Sequence, residues 1–133
     1  MAGSVRDLSK YRYERSLEEL ENAKALFKDK KYKLTLNRSY YSIFHGMRAV
    51  NVLDEFDSSK HSGVIAYFNR FHVKNGDFPR EASKIIKTAS EMREHADYED
   101  FFVASRQDAA DQLEKADIFF HLIEQYLYMK NVL

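Results

Sequence analysis

The stretch that decides the fold runs from Ser105 to Leu127, SRQDAADQLEKADIFFHLIEQYL. Ala109, Leu113, Ala116, Phe120, Ile123 and Leu127 recur in alternating steps of four and three over nearly three heptads. That spacing places all six on one side of a helix and forms the seam that packing at about +20° requires. Ser105, with Asp108 three residues on, has the form of a capping box, which starts the helix there.

Working back from this helix, the same period recurs. Ala82, Ile85, Ala89 and Met92 carry a fourth helix, opened by Phe78-Pro79 and continuing to about Arg93–Ala96, since proline suits a first turn. Val64, Phe68 and Phe71 mark a shorter third helix over about Lys60 to His72, and Asn75-Gly76 supplies a left-handed terminus. Leu36, Tyr40, Ile43, Met47 and Val50 stripe a second helix from about Tyr32 to Leu53. Tyr41, Phe44 and Ala49 widen the stripe, as expected for a central helix with two or more neighbours. Tyr13, Leu17, Leu20, Ala23 and Phe27 predict a first helix from about Val5 to Lys28, and the polar run 28–33 reads as the turn after it. Short connections make successive helices antiparallel. The expected fold is therefore all-α, an antiparallel four-helix bundle plus a short additional helix, as one domain over residues 1–133.

Composition narrows the chemistry. With 133 residues the chain suits one core, and 44% hydrophobic with 32% charged residues is a globular balance. The absence of cysteine excludes a disulfide framework, a thiolate zinc site and a cysteine nucleophile. No run approaches the roughly 20 apolar residues of a membrane span, and Arg6, Asp7, Lys10, Arg12, Glu14 and Arg15 do not read as a signal peptide, so a soluble, cytoplasmic protein is expected. No pair of His with Asp or Glu reads as a metal site, Glu-x-x-His patterns on two helices are absent, and neither a metal nor another cofactor is expected. The 21 basic and 21 acidic residues cancel, so any nucleic-acid contact must come from local clusters.

Four ordered segments carry a family resemblance. Asn37-Arg38-Ser39-Tyr40-Tyr41-Ser42-Ile43-Phe44-His45, Lys60-His61-Ser62-Gly63-Val64-Ile65, Val73-Lys74-Asn75-Gly76 and Arg93-Glu94-His95-Ala96-Asp97-Tyr98-Glu99-Asp100 resemble, in that order, the signatures of a bacterial and archaeal branch of the HEPN superfamily. The resemblance implies a symmetric homodimer, pairing with a nucleotidyltransferase antitoxin in a toxin–antitoxin or defence-type module, and RNA or a nucleotide as ligand. Active members are metal-independent endoribonucleases using an Arg followed, after four to six residues, by a His. Here Arg93 matches that arginine, but positions 98 to 100 are Tyr, Glu and Asp, so the motif is degenerate. That leaves three readings open, a ribonuclease, a non-catalytic nucleotide- or partner-binding helical dimer, and a stand-alone structural dimer with no ligand.

Metal-free RNA cleavage needs a base, an acid and a cation, roles that imidazole and guanidinium fill. The catalytic candidates are Arg93 with His61, a replacement for the missing His reached from another helix, and His95, the histidine nearest in sequence. Each has a plainer account: an intrahelical pair with Asp97 for Arg93, a helix-start or solvent-facing position for His61, and an exposed charge cluster for His95. The binding candidates are Asn37, Arg38, Tyr41, Lys60, Asp97 and Tyr98. Related pairs carry a tyrosine modified with AMP near this motif, a role for Tyr98 that competes with core or dimer packing. Arg38 is equally explained by a buried salt bridge. Arg80, Lys84 and Lys87 form a basic strip at helical spacing, either an RNA track or a solvated face. Arg38 and His45 meet the Arg–His spacing literally, but roughly 10 Å of helical rise separates them, and the pair is read as coincidence. His72 and His121 lie beside aromatic stripes and are expected at core or boundary positions.

Overall fold

A computed structural model describes residues 2–133, with side chains from Ser4 onward. Five α-helices follow in order: α1 (Ala2–Lys28), α2 (Tyr32–Asn51), α3 (His61–Phe68), α4 (Arg80–Tyr98) and α5 (Arg106–Met129). Among the described residues there is no strand, and no helix is long and apolar enough to cross a membrane. Contacts of α1 with α2 (Ser16 with Ser42), α2 with α4 (Asn37 with Asp97) and α4 with α5 (Glu81 with Lys115) run antiparallel, giving the up-down-up-down bundle with α3 as the short extra helix.

The helix limits have local causes. At the end of α1 the Lys31 amide bonds the Leu26 carbonyl (2.9 Å) and the Lys30 amide bonds Phe27 (3.0 Å), with Lys30 left-handed at φ 61°. This is a Schellman closure made without glycine. The second helix is shorter than its stripe suggests: a 3₁₀ turn takes over at Val52–Asp54, and Glu55 closes it with φ 59°. The third is also cut short, because Asn69–Val73 forms a π turn. The wider turn leaves Phe71 exposed while burying His72, whose two nitrogens meet Asp54 (2.8 Å) and Asp77 (3.1 Å). By contrast α4 runs two residues past its expected end, through Tyr98. At the start of α5, Ser105 Oγ accepts the Asp108 amide (2.9 Å) and Asp108 accepts the Ser105 amide (3.4 Å), so the capping box forms as read.

The core gathers around α2, which packs on α1, α3, α4 and α5. Tyr40, Ile43, Met47 and Val50 from α2 meet Ile86 from α4, Phe68 from α3, and Phe119, Ile123 and Leu127 from α5, all fully buried. Each such side chain contributes about 1.5–3 kcal/mol by leaving water. The seam of α5 holds: Ala109, Ala116, Phe120, Ile123 and Leu127 are buried and Leu113 packs against them.

Helix α1 departs from its apolar pattern. Leu17 is exposed, while Ser9, Arg12, Ser16 and Glu19 are buried beside Leu20 and Ala23. Small hydroxyls let α1 and α2 approach closely and bond across the seam. Ser9 Oγ donates to the Ala49 carbonyl (2.6 Å), Ser16 Oγ to that of Ser42 (2.7 Å), and Ser42 Oγ back to Ser16 (2.9 Å). Gly46 completes this approach. A Cβ there would lie 3.1 Å from Ile123 Cγ1 and 3.5 Å from Ser16 Oγ.

Candidate functional site

Antiparallel packing of α2 on α4 brings the first and last signature segments together. Arg93, five residues from the end of α4, reaches across to α2, and its side chain is only 11% exposed. Its guanidinium carbon lies 4.9 Å from the ring centroid of Tyr40, 5.8 Å from Tyr41 and 5.7 Å from Tyr98. Such faces hold a partly desolvated cation by about 0.5–2 kcal/mol each. One nitrogen donates to the Tyr41 hydroxyl at 3.5 Å and lies 3.5 Å from Asp97, while Nε is buried without a partner. Burial works against the charge, but Tyr41, Tyr40, Tyr98 and Asp97 more than offset it and push the Arg93 pKa up. The intrahelical pair with Asp97 is therefore real but long, and it leaves donor capacity unused.

His61 stands on the same platform. As the first residue of α3 it leans inward, its ring 4.3 Å from Phe44 and 5.7 Å from both Tyr40 and Tyr41, with Nδ1 2.9 Å from the Tyr40 hydroxyl. It is half-buried and neither a cap nor a solvated side chain. Burial, then the charges of Arg93 and Arg48, push its pKa below the ordinary value, so the imidazole is neutral near pH 7. Burial likewise raises the Tyr40 phenol to about 12, against the opposing pull of Arg93. The phenol keeps its proton and orients the imidazole.

The remaining α2 residues brace this pair. Asn37 Nδ2 donates to both carboxylate oxygens of Asp97 (3.1 and 3.0 Å), and Asn37 Oδ1 accepts from Arg38 Nε (2.8 Å). Arg38 in turn bonds the buried Glu19 at 2.7 Å and lies 5.1 Å from the Tyr41 ring. Glu19, Arg38, Asn37, Asp97 and Arg93 thus form one chain of charge-assisted contacts that fixes the end of α4 against α2. Arg38 and His45 make no contact with each other, as their helical rise requires.

Other sequence candidates fall elsewhere. His95 is exposed, bonds Glu99, and stacks on Phe102 at 5.7 Å. It borders a groove shared with Glu91, Glu94, Tyr98 and Glu99, whose carboxylates repel phosphate. The bond to Glu99 raises its pKa. Tyr98 is 72% exposed, so it is not a core residue. Lys60 is exposed at the N-cap of α3, its amide bonded to Ser58 Oγ (3.1 Å). Arg80, Lys84 and Lys87 are exposed, but Lys84 borders a groove with Glu81 and Asp111, and Lys87 one with Glu91 and Glu94. Carboxylates break up the strip. His72 is buried as expected, whereas His121 is a surface residue paired with Asp117 (3.6 Å) and Glu124 (3.4 Å). Among the described residues no His, Asp and Glu cluster suits a metal ion.

Sequence reading assigned Tyr40 to the core stripe alone. Its ring is fully buried, yet its hydroxyl anchors His61 and its face carries Arg93. A tyrosine within an otherwise apolar stripe was the available signal, because a buried phenol needs a polar partner.

Comparison with known proteins agrees with this architecture. The HEPN domain family matches residues 9–126. A protein of Methanocaldococcus jannaschii named "Putative toxin" is 32% identical over 120 residues, covering 90% of this chain and 80% of that protein. A "UPF0332 protein" of Thermotoga maritima is 34% identical over 113 residues, covering 85% of this chain and 86% of that one. A second M. jannaschii protein with the toxin name is 36% identical over 81 residues, 61% of this chain and 60% of its own.

Proposed function

The chain belongs to the HEPN domain family, and from that premise we propose that it is the toxin-type component of a two-part module, directed at RNA and held in check by a nucleotidyltransferase. The observation that carries this reading is the pairing of a permanently cationic Arg93 with a neutral His61 on one tyrosine platform. The toxin names of two relatives point the same way.

In this reading His61 takes the place of the histidine missing at positions 98 to 100. Its imidazole accepts the 2′-hydroxyl proton as that oxygen attacks the adjacent phosphorus, and Arg93 stabilises the charge gathering on the phosphorane oxygens. Two copies facing one another bring a second Arg93 to the same phosphorane, and the departing 5′-oxygen takes its proton from water. Asn37, Arg38 and Asp97 hold Arg93 in place, and Tyr41, Tyr98 and Lys60 line the approach. The test is total RNA with purified protein in EDTA: the wild type cleaves it, and Arg93→Ala does not. Recovery of the protein from its native host should bring down RNA and a nucleotidyltransferase. Recovery of neither counts against the proposal.

A second reading is a non-catalytic dimer that binds a nucleotide or partner at the same place. Its support is Tyr98, Glu99 and Asp100 standing where active relatives of this type carry histidine. Intact RNA with the wild-type protein selects this reading.

A further inference from the structure

We propose that the joined face of α1 and α2 carries a second phosphate-binding site, made by Arg12, Arg15 and Arg48 around His45, which holds a further phosphodiester of the RNA strand whose reacting linkage lies at Arg93 and His61. The proposal rests on the RNA-directed reading for the strand's identity, and on its own geometry for the site.

The geometry begins with an imbalance of charge. Arg12, with a side chain 9% exposed, and Arg48 share one carboxylate, Asp57, at 2.8 and 3.0 Å. Arg15 makes no ion pair among the described residues. Within this cluster Arg12 Nη1, Arg15 Nε and Arg48 Nε are all buried and all without an acceptor. A buried donor left unpaired costs about 1–3 kcal/mol, and native proteins hold few of them. Arg12 and Arg48 divide Asp57 between them, and Arg15, one turn along α1 from Arg12, adds a third charge with no carboxylate of its own, so the cluster has positive charge left over for an oxyanion. His45 lies within reach of all three charges. Burial and these cations push its pKa down to about 4, so it adds no charge of its own and keeps an N–H to donate. The Ser58 and Ser59 hydroxyls border an open depression of about 280 Å³ beside Arg48 and Asp57.

Position argues for a strand rather than an isolated phosphate. Arg48 lies over Phe44 at 5.8 Å, Phe44 supports His61, and both Arg48 and Arg93 act electrostatically on His61. The imidazole therefore lies within range of both cationic sites. Arg38, Tyr41, His45 and Arg48 follow steps of three and four along α2, so a chain of phosphates crossing that face meets the two sites in succession. Half-buried Tyr41 between them offers a face for a base.

The experiment uses a 2′-O-methylated RNA oligonucleotide, which binds but cannot be cleaved, with inorganic phosphate and AMP as separate arms. Arg15→Gln is expected to weaken oligonucleotide binding about tenfold and lower its salt slope by about one, with the unfolding midpoint not lowered because no ion pair is lost. Arg48→Gln is expected to weaken it similarly. The His45 ring resonances should shift on adding oligonucleotide to the wild type and to Arg93→Ala, but not to Arg15→Gln. Wild-type affinity in both Arg15→Gln and Arg48→Gln, a stationary His45 resonance, AMP binding as tightly as the oligonucleotide, or a changed oligomeric state with unchanged RNA affinity would each overturn the proposal. Loss of the ribonuclease reading looks different: RNA stays intact while Arg15-dependent binding persists.

Discussion

The imidazole of His61 and the ring of Phe44 lie 4.3 Å apart, centroid to centroid, and this contact keeps an ionisable group of α3 pressed against the core edge of α2. The group consequently titrates below an exposed histidine, with burial the larger cause and the charges of Arg93 and Arg48 the rest. As a base it must be neutral, so RNA cleavage should keep its full rate past the point at which an ordinary imidazole takes up its proton and fall only on further acidification. His61→Gln, which preserves polarity but cannot titrate there, should lower the rate by about 10²-fold or more and remove that acidic limb. A rate profile measured from pH 4 to 8 reports both effects. A limb that persists in His61→Gln assigns the titration to another group.

Arg93→Lys keeps the charge but loses the planar fork and much of the stacking on Tyr40 and Tyr41. Cleavage should fall nearly as far as in Arg93→Ala, with stability within about 1 kcal/mol of the wild type because cation–π contacts are individually small. Asn37→Ala removes the brace on Asp97 and should give a milder, several-fold loss. Single-turnover rates alongside urea unfolding separate the two effects.

Stability should depend on pH through His45. Its folded pKa of about 4 lies below that of the unfolded chain, about 6.5. Above pH 6.5 the imidazole is neutral in both states and its contribution is complete. As pH falls from about 6.5 toward about 4 the unfolded chain takes up the proton first, so stability declines across that window. Thermal unfolding of His45→Gln against the wild type should show a flatter dependence over the same range.

Gly46→Val should destabilise the bundle by about 1–3 kcal/mol, because added methyls collide where α1, α2 and α5 converge. Chemical denaturation measures the change. The same substitution at Gly63 meets a different neighbour, the flexible side chain of Ser58, 2.7 Å from a built Cβ, and should perturb the turn before α3 more than the core.

The course of α5 could be read directly, since its seam is apolar and its capping box is written in four consecutive residues. The course of α1 could not, although its existence could. Its buried face contains Ser9, Arg12, Ser16 and Glu19, so hydropathy marks the wrong side at Leu17. Ser9 and Ser16 find carbonyls on α2, Glu19 finds Arg38 there, and Arg12 pairs through one nitrogen with Asp57 in the following loop, partners that no local pattern contains. The site divides in the same way. Arg93, His61, Asn37 and Tyr41 were named from their signature segments, and folding places them side by side. The joining part of Tyr40 and the cluster of Arg12, Arg15 and Arg48 depend on the register of one helix against another, and a linear period does not encode register.

The hydroxyl seam between α1 and α2 also bears on how the molecule assembles. The two helices are neighbours in the chain, joined by a three-residue turn at 29–31, and their mutual contacts are the most extensive in the bundle. Closing so short a loop costs little entropy, and fast folding favours contacts near in sequence. This hairpin is therefore the expected first piece to form, with α5 arriving across it, and the amides between Ser9 and Ala49 should be among the last to exchange with deuterium.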